Sequence, residues 1–202
     1  MPTTTNFKRR RRQFLEAIDA PVLLMAGGWA PRNYPANWMP FRADSTFLFF
    51  FPKPEPNAAA LFDPKDESVT LFLDERTQAD ALWHGPVPSF KDVQKAAGVD
   101  AVVARAELAN VVRKKVGKRR VRTIAIADPP KTAEALAVTG EQLDFFDAAR
   151  IGDPELITTV ARLRNRRSPE ELDEMRHAAA VTREAHTLAM ARTRPGIFEQ
   201  EL

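Results

Sequence analysis

Apolar positions open the chain at helical spacing: Phe7, Phe14, Leu15 and Ile18 share one face over residues 7–18, and Thr5 or Asn6 can cap the first turn. The pattern then shortens. Val22, Leu23, Leu24 and Met25 form a continuous apolar run ended by Gly27 and Gly28, which predicts a short buried strand and a turn. A loop with Pro31, Pro35 and Pro40 follows. Residues 47–51, all apolar, predict a second strand stopped by Pro52, Pro54 and Pro56. Residues 58–62 and 69–73 predict a hairpin whose turn is supplied by Asp63, Pro64, Lys65 and Asp66.

From residue 76 the period changes. Residues 76–83, 89–97, 106–115, 131–138 and 141–149 predict helices; Ser89 caps the second of them, and Gly98 and Gly117 close the second and third. Strands over 99–103 and 121–127 alternate with them. Such alternation after a short β-meander predicts an α/β domain, a mixed β-sheet flanked by helices, over residues 1–151. Asp153 and Pro154 then open a helix with Leu156, Val160 and Leu163 on one face. Ser168, Pro169, Glu170 and Glu171 make a capping box with proline at the first helical position. The long helix over 169–193 carries the stripe Leu172, Met175, Ala179, Thr182, His186 and Met190, and Pro195 and Gly196 end it. A stripe of that length needs a large partner surface. Residues 152–202 are therefore expected to be the truncated helical start of a second domain, with His186 packing on the missing body.

Hydrophobic residues make up 44% of the chain, enough for a real core. The 30 cations against 27 acids leave only +3, and no nucleic-acid-reading motif accompanies them. The run from Lys8 to Arg12 and the cluster Arg162, Arg164, Arg166 and Arg167 are expected as solvated helix faces, with no nucleic-acid partner. The lack of cysteine excludes disulfides and thiolate metal sites, and the apolar runs are too short to span a membrane. A cytoplasmic protein with no membrane partner is expected. His84, His177 and His186 are too scattered for a metal cluster. Arg42 and Asp44 are expected to form a structural pair tying the proline loop to the next strand. Trp83, judged on its own surroundings, reads as a core or cap residue.

Three stretches taken together resemble the aminopeptidase P (Xaa-Pro aminopeptidase) family. Pro40-Phe41-Arg42-Ala43-Asp44-Ser45-Thr46-Phe47 resembles the family's PFR-x-(D/S)-S-x-F segment. Trp83-His84-Gly85 is similar to its W-x-G. Ser168-Pro169-Glu170-Glu171, Met175-Arg176, Ala185-His186 and Arg194-Pro195-Gly196 resemble the opening of its catalytic domain. The arginine often found after W-x-G is replaced by Pro86-Val87-Pro88.

The resemblance implies the family's N-terminal domain followed by the first helices of a pita-bread catalytic domain. It implies an enzyme that hydrolyses the bond before a penultimate proline with two divalent metal ions, Mn2+ in the typical case. The metal ligands would lie downstream, so no catalytic or metal-binding residue is expected within these residues, and the chain alone is expected to be inactive. The expected partners are the missing catalytic domain, further copies in a homodimer or tetramer, and a proline-containing peptide. Trp83 matches the family tryptophan that reaches into a neighbouring subunit's substrate pocket. A prolidase or creatinase-type hydrolase, or a non-catalytic binding module of the same fold, remains open.

Overall fold

β1 (Val22–Met25) is apolar throughout because it is covered on both faces. It lies between β2 (Ala59–Asp63), antiparallel with Val22 opposite Phe62, and β5 (Arg122–Thr123), parallel with Leu23 opposite Thr123. β3 (Ser68–Leu73) completes the expected hairpin with β2 and runs parallel to β4 (Ala101–Ala104). The strand order is β4-β3-β2-β1-β5. Four strands therefore end at one edge of the sheet, and β2 alone runs against them. This computed structural model describes residues 4–77, 80–82 and 85–202. By contacts the chain divides into two units, Thr3–Asn165 and Arg166–Leu202.

Strand alternation splits the core of the first unit into two layers. Val22 and Leu24 point to one face, with Phe14, Phe47, Phe50, Phe62 and Leu71. Leu23 and Met25 point to the other, with Leu61, Phe72, Leu108, Val112 and Ile126. α1 (Thr4–Ala17), α2 (Ser45–Phe50) and α3 (Phe90–Ala97) cover the first face. α4 (Leu108–Val116) and α5 (Pro129–Thr139) cover the second. α6 (Pro154–Asn165) also joins the first face, where Leu156 and Val160 are buried. The mixed sheet flanked by helices is as expected. The first compact unit, however, extends through α6 to Asn165.

Three local expectations need correction. Residues 47–51 do not form a strand: Ser45–Phe50 is helical. A short run apolar at every position fits either period. Asp44 decides the outcome by accepting the Thr46 and Phe47 amides at 2.7 and 3.3 Å, an N-cap. Residues 141–149 are turns rather than a helix. Gly140 ends α5 in the left-handed region at φ 74°, and Asp144 and Asp147 bond the amides of Phe146 and Ala149. Such side-chain bonds compete with helix formation. The solvated cationic face of α1 is solvated only in part. Lys8, Arg9 and Arg12 are exposed, but Arg10 and Arg11 are buried. Arg10 donates to Phe49 O at 3.1 Å and lies over the Phe7 and Phe49 rings. Arg11 donates to Phe50 O, Ala97 O and Gly98 O, closing the C-terminal ends of α2 and α3.

At the opposite edge of the sheet, Asp63 is fully buried and takes a bidentate pair of bonds from Arg119, each 2.7 Å. These bonds hold its carboxyl below the usual carboxylate range. The resulting stability is complete above the unfolded value near ~3.9 and is lost as pH falls through the lower folded value. Asp63→Asn is expected to cost about 1.5 kcal/mol at neutral pH, because the half-solvated Arg119 fork loses its charged bidentate acceptor. The gap from the parent chain should narrow in urea titrations at pH ~3; a gap unchanged by acid would contradict the pair's role.

The second unit holds α7 (Pro169–Arg192) and a short 3-10 turn, Glu199–Glu201. The capping box forms as expected: Ser168 accepts the Glu171 amide and its own amide bonds the Glu171 carboxylate. No residue of α7 is buried, and Leu172, Met175, Val181, Leu188 and Met190 are exposed. At helical spacing Val181, Ala185 and Leu188 fall opposite Leu172, Met175 and Met190. α7 thus carries two apolar faces where one stripe was expected.

Candidate functional site

The edge where β1, β3, β4 and β5 end is the side of an open α/β sheet on which ligands ordinarily bind. The chain gathers polar residues there from five connections. Gly27 turns at φ 90°, and the Gly28 amide donates to Asp128 Oδ2 at 2.7 Å. A Cβ on Gly28 would stand 3.0 Å from Asn57 Oδ1 and 3.3 Å from Lys131 Cε, so the polar side chains pack closely around this backbone. Asn57, itself at φ 62°, donates to Asp74 Oδ2 at 2.8 Å and accepts from Arg105 Nε at 2.7 Å through its carbonyl. Arg105 is buried and reaches Glu134 Oε1 at 2.6 Å; Lys131 holds the other Glu134 oxygen at 3.2 Å. Asp128 Oδ1 also accepts the Lys131 amide, capping α5.

This network pairs its own acids and cations. It contains no hydroxyl or thiol nucleophile set against a base. Its chemical capacity is to fix the backbone at the roots of the loops, above all residues 28–44. The turn expected at Gly27 and Gly28 is present, with Gly27 in the left-handed region. Its polar partners come from positions far apart in the chain, where no local pattern reveals them.

The loop rooted at Gly28 is a pinned hairpin. Pro31 bridges Trp38, Arg32 N bonds Asn37 O at 2.8 Å, and Met39 N bonds Ala30 O at 2.8 Å. Asn37 closes the turn onto Tyr34 O and Asn33 Oδ1. The Trp29 ring lies 6.1 Å from Trp38 and 5.8 Å from Phe41, tilted against both. Trp29 and Trp38 are 47% and 45% exposed, and Tyr34 and Met39 are exposed beside them. Three prolines made this segment read as an irregular loop. The signal that would have revealed the hairpin is the placement of Trp29 and Trp38 on either side of the Asn33–Asn37 turn.

Arg42 and Asp44 both serve the start of α2, each with partners of its own. Arg42 donates to Ser45 Oγ at 3.2 Å, whereas Asp44 caps the helix and its amide bonds Ala26 O. Trp83 and His84 lie outside the described residues. Around them, Asp80 is held to Thr77 by a reciprocal pair of bonds, Leu82 is exposed, and Gly85 turns at φ 78°. His177 and His186 are exposed on α7. Among the described residues, no three of His, Asp and Glu stand close enough to hold a metal ion, and no helix is long and apolar enough to cross a membrane.

Comparison with known proteins agrees with this architecture. Residues 7–125 match the family model described as "Aminopeptidase P, N-terminal domain". The Xaa-Pro aminopeptidase of Escherichia coli (strain K12) is 25% identical over 205 residues, covering 97% of this chain and 46% of the relative. The Xaa-Pro aminopeptidase of Haemophilus influenzae is 25% identical over 197 residues, covering 96% of this chain and 44% of the relative. Among solved structures, Pseudomonas aeruginosa aminopeptidase PepP superposes with a TM-score of 0.81 at 24% identity, covering all of this chain and 47% of that one. The low-pH form of Escherichia coli aminopeptidase P gives 0.80, also at 24% identity and over 48% of its length. The chain thus spans under half the length of the relatives it matches, and with more than half of its own residues inside the family model it belongs to the aminopeptidase P N-terminal domain family.

Proposed function

We propose that this chain is the N-terminal portion of a metal-dependent Xaa-Pro aminopeptidase, which hydrolyses the peptide bond before a penultimate proline. The observation that carries the reading is the family match over residues 7–125, joined to relatives named Xaa-Pro aminopeptidase whose remaining half has no counterpart in these 202 residues. The reaction belongs to that remaining half, a pita-bread catalytic domain with two divalent ions, Mn2+ by preference. The described residues do not fit such ions, since they offer no three-acid or histidine cage. No step of the reaction is therefore assigned to this chain.

Its own task is to wall the substrate site and to support a homodimer or tetramer. Trp83 is the residue proposed to do the walling. An indole can cover a prolyl ring and exclude water while its N–H finds a partner. The absence of cysteine accords with a cytoplasmic setting.

The test is the polypeptide extended beyond Leu202 by its own gene and supplied with Mn2+. It is expected to release the first residue from a peptide with proline second and not from one with alanine second. Trp83→Ala in that protein should lower kcat/KM by about tenfold without moving the melting temperature. An extended protein that spares Xaa-Pro peptides would overturn the enzyme reading. A large drop in melting temperature would return Trp83 to a packing role.

A further inference from the structure

We draw no further inference here: the strongest candidate, the apolar recess of the first unit lined by Phe47, Phe51, Leu71, Leu73 and Val93 between α3 and residues 52–58, carries none, because nothing in the structure shows what covers it.

Discussion

Replacing Arg11 by methionine is expected to cost the first unit about 3 kcal/mol and to lower its melting temperature by roughly 10 °C. Arg11 is 2% exposed, and burial pushes its guanidinium down to about 10, which leaves it charged at neutral pH. That charge is used three times. Arg11 Nη1 bonds Phe50 O at 2.8 Å, and Nη2 bonds Ala97 O at 2.6 Å and Gly98 O at 3.0 Å. The first carbonyl closes α2 and the others lie at the end of α3, where a cation is favoured by the helix dipole. The guanidinium also lies 5.2 Å from the centre of the Phe51 ring.

Methionine fills the space and removes the buried charge, but it leaves these carbonyls without their donor, each at about 1–3 kcal/mol. Lysine keeps the charge without the planar fork, so Arg11→Lys should recover part of the loss. Arg12→Ala, one residue on, removes a side chain exposed to 82% and paired with Glu16, and is expected to change stability by less than about 0.5 kcal/mol. Chemical denaturation of the three variants is the check. Arg11→Met as stable as Arg12→Ala would contradict the account of α1.

The second large effect concerns where the first unit ends. A chain stopped at Ile151 is expected to lose about 3–6 kcal/mol relative to one stopped at Asn165, from exposure of the Leu156 and Val160 sites alone. Both side chains are buried in the layer built on Phe14 and Val22. The cut also removes Gly152, which bridges Ile124 at the open edge of β5, and Asp153, which faces Arg120 and Arg122. The shorter chain should unfold at markedly lower denaturant or fail to stay soluble, whereas the longer should match the first unit of the intact chain. Equal midpoints for the two would show that α6 adds nothing to this core.

Much of this fold was legible because its strands are either fully apolar or bounded by turn residues. Gly27 after Val22–Met25 and the Asp63–Asp66 turn marked where those strands stop. The strength of the Ser89 and Ser168 caps likewise fixed α3 and α7. The failures have physical causes. The run at residues 47–51 lacks polar positions, so no period could be read from it, and a single carboxylate at Asp44 chose helix. Arg10 and Arg11 looked like their solvated neighbours, because composition does not reveal that two of five successive cations turn inward to buried carbonyls. For the candidate site, the glycine turn was readable. The polar network around it was not, since Asn57, Arg105 and Asp128 meet only through the sheet topology. The aromatic hairpin was obscured by its prolines.

In the proposed function, these 202 residues shape and support a peptidase whose chemistry lies in further polypeptide. The measurement that bears on it most directly is release of the first residue from an Xaa-Pro peptide in the presence of Mn2+, by this chain alone and by the gene's extended product. The account expects a rate at the blank for the chain alone and metal-dependent, proline-selective release by the extended protein. Turnover by the chain alone, abolished by a chelator and restored by Mn2+, would contradict it.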